Sequence, residues 1–293
     1  MRRVYSKSME RGVTDFSTRI RKHYDLLAPV YYFLWGQHVH HGYWENEADR
    51  APASVAQTRL ITELYRFAGQ PKPEAVLDVG CGYGGSLRWL ADQTGARGTG
   101  LTLSRAQQAI ARMKNLLSSQ ADALEIRMGD AQCPWPFLSD SFDLVWCVEC
   151  SEHLRDRLHL AREGYRVLKP GGVFVLAAWL ASPNNSPSAE RLRKEVEKGM
   201  LCYPFASSQR YLEQARAAGF ERAECKLITE HVARTWDLCI ARRDQPLMRW
   251  LNQILGEDVR AFAASFDALR QAYLEGAMEY GFIVASKPGG LNM

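Results

Sequence analysis

The chain has 293 residues, of which 46% are hydrophobic and 24% charged, with a formal net charge of +4. Such a chain can bury a full core, and its mixed charges do not indicate a nucleic-acid partner. It has no apolar run of about 18 residues and no apolar signal region, and its seven cysteines are scattered. We therefore expect a cytoplasmic protein with reduced thiols and no membrane span.

The predicted elements begin with an aromatic stretch, residues 14–44, that has a helical pattern interrupted at Pro29. A helix at 54–68 follows, with Gly69 as its stop signal. Helical patterns then alternate with short apolar runs, and Ser104 with Gln107 forms the start signal of one helix. This alternation predicts a doubly wound, parallel α/β sheet with strands at 75–79, 98–103, 124–128, 142–147 and 173–179.

The last third of the chain extends this sheet. Residues 169–172, KPGG, predict a turn before the fifth strand, and residues 182–188, SPNNSPS, predict a loop after it. The segment 232–275 has a mostly helical pattern, broken at Pro246 and Gly256. Further elements are predicted as a helix at 207–218, a sixth strand at 222–228 and a last strand at 279–286.

The loop after the first strand indicates a nucleotide-like ligand. Residues 80–85 read GCGYGG and fit G-x-G-x-x-G, a pattern that is weak evidence by itself. A dinucleotide site needs an acid at the end of the second strand, whereas residues 100–104 read GLTLS. Asp78 lies at the end of the first strand, where its carboxylate suits the ammonium of S-adenosylmethionine and would repel a pyrophosphate. A nicotinamide oxidoreductase is therefore disfavoured.

Four motifs in order carry a resemblance to a known family. VLDVGCGYGG (76–85), GDAQ (129–132), FDLVWCVECSEHL (142–154) and LKPGG (168–172) resemble the motifs of class I S-adenosylmethionine-dependent methyltransferases. The stretch YDLLAPVYYFLWGQHVHHGYWE (24–45), with GLTLS and the SEH at 151–153, is similar to the gamma-tocopherol and sterol C-methyltransferase group. That group methylates small, often isoprenoid or aromatic, molecules on carbon, nitrogen or oxygen.

The resemblance implies a mostly parallel seven-stranded, Rossmann-like sheet with a helical lid, and S-adenosyl-L-methionine as the cofactor. The expected divisions are an aromatic helical lid at 1–65, the cofactor-binding core at 66–231, a helical lid insert at 232–276, and the last strand and tail at 277–293. Cofactor contacts are expected at Tyr24, Asp78, Gly80, Gly82, Thr102, Leu103, Gln107, Asp130, Ala131 and Glu149.

The acceptor side is expected to combine ring-bearing residues of the lid with acid–base groups after the fourth strand. Glu152 and His153 are the candidate catalytic residues, because acid–base groups are needed at that position; the alternative for Glu152 is a helix cap. No metal site is expected, since Cys147 and Cys150 lack a second ligand pair. The candidate acceptor-binding residues, which could instead simply pack in the core, are Tyr31, Trp35, His40, His41 and Tyr43.

These observations predict a methyltransferase that acts on a small apolar, isoprenoid or aromatic molecule resembling a natural product, with carbon slightly favoured as the methylated atom. One alternative is an N- or O-methyltransferase of a small metabolite. Another is a non-enzymatic ligand-binding protein with the same fold. The expected partner is a small-molecule substrate, and the oligomeric state stays open, with a homodimer as one candidate.

Overall fold

A computed structural model describes residues 2–246, 248–250 and 256–289. In these residues a single sheet has the strand order β3-β2-β1-β4-β5-β7-β6. Its strands are parallel except β7, which runs antiparallel to both β5 and β6. This confirms the predicted sheet, whose strands are β1 Ala75–Val79, β2 Arg97–Thr102, β3 Leu124–Met128, β4 Phe142–Val148, β5 Leu168–Ala181, β6 Arg222–Leu227 and β7 Met278–Ser286.

The helices cover both faces of the sheet and its carboxyl edge. Several begin at a serine or aspartate whose side chain accepts a backbone N–H three residues on, as Ser104, Asp156, Ser186 and Ser207 do. None of the described helices is long and apolar enough to cross a membrane. They are α1 Arg2–Trp35, α2 Ala53–Phe67, α3 Gly85–Thr94, α4 Arg105–Asn115, α5 Arg157–Val167, α6 Pro187–Gly199, α7 Ser208–Ala218, α8 Thr229–Val232, α9 Arg234–Arg243 and α10 Glu257–Leu274.

The predicted interruption at Pro29 was wrong, because α1 continues to Trp35. A proline inside a helix removes a hydrogen bond and costs about 3 kcal/mol. Tertiary contacts on either side of it offset this cost: Leu27 and Tyr31 are buried, and the Tyr83 hydroxyl donates to the Ala28 carbonyl at 2.7 Å. Local propensity therefore yields to packing at this position.

The helical pattern predicted up to residue 44 ends earlier. Gly36 has φ +81°, and the chain after it is irregular and extended. Residues 37–44 form a segment that we call the strap. Gly42 is required within it, since a Cβ there would lie 2.6 Å from the Trp44 ring and 2.7 Å from the Ala56 side chain.

Two more local predictions differ from the structure. The KPGG stretch lies within β5, where the pairing with β4 shifts register and Gly171 has φ +79°. The predicted loop at 182–188 ends at the N-cap Ser186, where α6 begins with Pro187. Pro at the first helical position is favourable, so the same proline that suggested a loop starts a helix.

The division of the chain into lid and core also shifts. Leu60, Ile61 and Leu64 of α2 are fully buried in the main core cluster, so α2 belongs to the core and not to the lid predicted at 1–65. Helix α6, expected within the core, packs on α10, where a Cβ at Gly199 would overlap Ser265. Helix α6 is therefore paired with α10, which was assigned to the helical lid insert.

Candidate active site

A cavity lies at the carboxyl ends of β1, β2 and β4. The chain order of the strands reverses beside β1, which is where sheets of this type bind their ligands. All of the residues predicted to contact the cofactor line this cavity: Tyr24, Asp78, Gly80, Gly82, Thr102, Leu103, Gln107, Asp130, Ala131 and Glu149. We call it the donor cavity.

Asp78 is a buried acidic residue in the lining of the donor cavity. It is 2% exposed, and its Oδ2 atom is buried without a hydrogen-bond partner. Burial raises the pKa of this carboxyl to about 7, although Arg88 acts in the opposite direction. An orphaned carboxylate oxygen is costly unless a ligand satisfies it, and a ligand ammonium would do so. The residues present therefore fit the amino-acid end of S-adenosylmethionine.

The glycine loop gives the donor cavity its floor. Gly80 has φ +74° and Gly82 has φ +52°, a backbone region that favours glycine. A Cβ at Gly80 would also lie 2.4 Å from the Cys150 side chain. The loop therefore passes this point only as glycine, and its backbone comes close to whatever fills the cavity.

Residues 100–104 at the end of β2 contain no acidic side chain, and polar side chains bond to each other there instead. Thr102 Oγ1 donates to Gln107 Oε1 at 3.1 Å, and both side chains are buried. The carboxylate that approaches this region comes from α1: Asp25 Oδ1 accepts from Ser104 Oγ at 2.7 Å and from the Ala106 N–H at 3.1 Å. Asp25 thus joins the lid to the start of α4, a role that the sequence did not suggest.

A second cavity adjoins the first, and we call it the acceptor cavity. Four of the residues predicted to contact the acceptor line it: Tyr31, Trp35, His40 and His41. The sequence did not predict most of the other residues that line this cavity. The segment 232–275 was assigned to the lid, and its aromatic residues could have indicated that it contributes to the wall. This wall comprises His23, Trp179, Met200, Cys202, Thr235, Trp236, Cys239, Phe262 and Phe266, with Glu152 and His153 at one end.

Tyr43 corrects one acceptor-site prediction, because it lies outside both cavities. Its ring stacks on His231 with centroids 4.3 Å apart, and its backbone N–H donates to the Ala56 carbonyl at 2.8 Å. Gly42 also lines neither cavity, and its N–H donates to Thr235 Oγ1 at 3.1 Å. Tyr43 therefore packs the strap against α2 and α8.

The two cavities share a boundary at which the reacting groups would meet. Tyr24, Val39, His40, Glu149 and His153 line both cavities. They come from α1, the strap and the end of β4, which are far apart in the sequence.

Hydrogen bonds determine the tautomer of His153. Its Nδ1 lies 2.8 Å from the Leu201 carbonyl, which only accepts, so Nδ1 carries the hydrogen. Burial lowers the pKa of His153, so the ring is neutral and its Nε2 accepts from the Tyr24 hydroxyl at 3.0 Å. Burial also raises the pKa of Tyr24 well above its ordinary value, which keeps this hydroxyl a donor. A basic nitrogen is therefore held at the boundary of the cavities.

Glu152 is buried beside the acceptor cavity, and its Oε1 accepts a hydrogen bond from the backbone N–H of Trp179 at 2.6 Å. Burial raises its pKa to about 7, against the lowering effect of that hydrogen bond. The alternative that Glu152 caps the next helix was wrong, because the Asp156 side chain caps α5 by accepting the His159 N–H at 3.0 Å.

No group of three His, Cys, Asp or Glu side chains within the described ranges could hold a metal ion. The His40 ring instead bonds to the His38 ring and to the backbone. His40 Nδ1 lies 2.7 Å from the His41 carbonyl, and His40 Nε2 lies 3.3 Å from His38 Nδ1.

Comparison with known proteins identifies the family. A family model described as a methyltransferase domain matches residues 77–176. The 27-O-demethylrifamycin SV methyltransferase of Amycolatopsis mediterranei (strain S699) is 30% identical over 273 residues, which cover 92% of this chain and 97% of that protein. The chain belongs to the S-adenosylmethionine-dependent methyltransferases. A chloroplastic tocopherol O-methyltransferase of Arabidopsis thaliana, 28% identical over 97% of this chain and 84% of its own length, confirms the predicted resemblance.

The methyltransferase is also similar to a solved structure of a [4+2]-cyclase, SpnF. The two share 25% identity with a TM-score of 0.80 over 94% of this chain and 97% of that one. This likeness extends over nearly the whole chain. It also shows that the fold occurs in a protein named for a different reaction.

Proposed function

We propose that this methyltransferase transfers a methyl group from S-adenosylmethionine to an apolar, ring-containing or isoprenoid small molecule, with carbon slightly favoured as the methylated atom. The observation that carries the proposal is the junction of the two cavities. A donor cavity with an orphaned carboxylate adjoins, at Tyr24 and His153, a cavity lined largely by aromatic rings. Such a lining suits a hydrophobic ligand.

Within the donor cavity, Asp78 would hold the ammonium of S-adenosylmethionine, and the backbone at Gly80 and Gly82 would lie along its amino-acid end. Asp130 and Ala131, after β3, would lie beside the adenine. When bound, this molecule supplies a methyl group already activated by a sulfonium. The protein therefore has to position the acceptor and exclude water rather than create a reactive group.

The charged side chains around the acceptor cavity favour a substrate whose bound portion carries no negative charge. Neither Lys nor Arg occurs among the described residues that line this cavity. Glu149 and Glu152 both border it, and although burial alone would raise the pKa of Glu149, His41 lowers it to about 2. An anionic group on the substrate would thus meet acidic side chains with no Lys or Arg among the described lining residues. Positive charge that develops on the acceptor would be stabilised by the carboxylates and by the ring faces.

His153 or Glu152 would accept the proton that the acceptor loses. In methylation of an unsaturated carbon, the new C–CH₃ bond leaves a cation that must lose a proton to His153 Nε2 or to Glu152. In methylation of a hydroxyl, the base must act as the bond forms. Oxygen is the second candidate for the methylated atom, because the tocopherol relative is named as an O-methyltransferase.

Incubation with S-adenosylmethionine carrying a ¹³C-labelled methyl group tests this function. The acceptors should be a panel of tocopherol-like phenols, neutral polyprenyl alcohols and the corresponding diphosphates. We expect methylation of neutral members, with the NMR shift of the labelled methyl distinguishing carbon from oxygen. Methylation of the diphosphates alone would contradict the proposed acceptor class. Binding of the donor without turnover of any neutral acceptor would favour the non-methylating alternative.

A further inference from the structure

The strap is the wall between the two cavities. His38 faces the donor cavity, His41 faces the acceptor cavity, and Val39 and His40 border both. Whatever sets the position of this segment therefore sets the separation between the methyl donor and the acceptor.

Different groups fix the two sides of the strap. On the donor side, the Gln57 side-chain amide donates to the His38 carbonyl at 2.6 Å and to the His40 carbonyl at 3.3 Å. On the acceptor side, Glu149 Oε1 accepts both the backbone N–H of His41 at 2.8 Å and its ring Nδ1–H at 2.9 Å. The acceptor side is thus tied to the end of β4 by a single carboxylate oxygen.

Glu149 is held in an unusual conformation at this point. Its φ is +49°, a left-handed region in which residues other than glycine are strained. The Tyr280 hydroxyl on β7 adds a third hydrogen bond to Oε1, at 2.8 Å. The bonds from His41 and Tyr280 therefore hold the strained backbone and direct the carboxylate along the boundary of the two cavities.

His41 is equally constrained, since its ring is 1% exposed and is surrounded by aromatic rings. The centroids of Tyr280, Trp236 and Trp179 lie 4.8, 5.1 and 5.3 Å from that of the imidazole. On the other edge of the ring, Nε2 lies 3.2 Å from the Tyr273 hydroxyl. A buried imidazole with both nitrogens bonded keeps one orientation.

We propose that His41 is a positioning residue for methyl transfer, which sets the wall between the two cavities through its bonds to Glu149. It would act by holding the strap at the distance that brings the acceptor against the donor. This role rests on the proposed function in one respect, the assignment of the methyl donor to one cavity and the acceptor to the other. Because displacements of about 1 Å can cost about 100-fold in rate, loss of this anchor should reduce turnover more than donor binding.

A matched pair of variants separates positioning from packing. In His41→Asn, the side-chain amide can replace the Nδ1–H donor to Glu149, whereas in His41→Gln the amide reaches the Nε2 position beside Tyr273. Both variants lose the same ring. We expect His41→Gln to lower kcat about 100-fold, and His41→Asn to stay within a factor of about 5 of the parent. In both, Gln57 should keep the donor Kd near the parental value.

Two further measurements make the result decisive. Tyr273→Phe removes the other bond of His41 and should leave kcat near the parental value. Deuterium uptake by the peptide that contains residues 37–44, measured without any substrate, should rise in His41→Gln and not in His41→Asn. Equal turnover or equal uptake in the two His41 variants would overturn the proposal. If the parent methylates no tested acceptor, the proposed function fails, and deuterium uptake alone then decides the role of His41.

Discussion

The hydroxyl of Tyr24 on α1 lies 3.0 Å from Nε2 of His153, which follows β4. This hydrogen bond joins the lid to the core at the boundary of the two cavities. The second nitrogen of the same imidazole is held by the Leu201 carbonyl. The Nε2 nitrogen therefore lies at the boundary of the two cavities, where it accepts the Tyr24 hydroxyl.

The first prediction concerns this imidazole. In His153→Asn, the amide can keep the bond to the Leu201 carbonyl while the basic Nε2 is lost. General-base contributions are typically 100-fold or more, so kcat should fall by about 100-fold with the donor Kd nearly unchanged. Tyr24→Phe, which removes only the hydroxyl, serves as the companion variant and should have a smaller effect. Parental turnover in His153→Asn would assign the proton to another group.

The second prediction concerns Asp78. Replacement by Asn keeps the shape and removes the charge, and a hydrogen bond to a charged group contributes about 1.5–3 kcal/mol. Calorimetry should therefore show about a 10- to 100-fold weaker Kd for S-adenosylmethionine. Because the pKa of Asp78 is raised to about 7, the parental affinity should increase between about pH 6 and 7.5 as the carboxyl ionises.

Asp78→Asn should lose this dependence on pH, and comparison with it cancels the titration of the ligand itself. Asp92→Asn is the matched control, since Asp92 is exposed and lies outside both cavities. A parental affinity in Asp78→Asn, with the fold intact, would contradict the assignment of the donor cavity.

The third prediction concerns the stability of the ligand-free protein. Glu152 has a folded-state pKa of about 7, above the ordinary value of 4.5, so the folded protein binds its proton more tightly than the unfolded chain. Its contribution to stability is complete below about pH 4.5 and decreases as the pH rises to about 7. In Glu152→Gln this loss is absent, so its Tm relative to the parent should increase from pH 5 to pH 8. A constant difference in Tm would show that Glu152 titrates normally.

The fourth prediction concerns the acceptor cavity. Trp35 lines it and meets Tyr31 edge-to-face, with centroids 5.7 Å apart. Trp35→Leu removes part of this apolar wall, and a loss of about 1.4 kcal/mol of contact corresponds to about a tenfold higher acceptor KM. The donor Kd should not change. Trp250→Leu is the control, because Trp250 is 56% exposed and lines neither cavity. Equal effects of the two variants would argue against this location for the acceptor.

The donor cavity could be predicted closely from the sequence, because its determinants are local. Asp78, Gly80 and Gly82 lie within one strand–loop unit, and the carboxyl ends of adjacent parallel strands bring Thr102, Asp130 and Glu149 to the same edge. The predicted strands agree with the structure to within a residue or two at most of their ends, and β5 is the longest extension beyond its prediction.

The acceptor cavity could be predicted only in part. Its walls come from α1, the strap, β5, α9 and α10, and the contacts between these segments have no local signal. Tyr31 and Tyr43 both carry the aromatic character of a pocket wall, yet only Tyr31 lines the cavity while Tyr43 stacks on His231. Aromatic composition cannot show which way a ring faces.

The sequence by itself determined the sheet, the family and the lining of the donor cavity, because periodicity and the glycine loop act over a few residues. Only the tertiary structure decided that α1 continues through Pro29, that Asp156 rather than Glu152 caps α5, and that His41 meets Glu149. Each of these outcomes depends on packing or hydrogen bonds between distant segments. Such contacts can outweigh local propensities of about 1–3 kcal/mol, because a competing conformation would leave buried polar groups without hydrogen-bond partners.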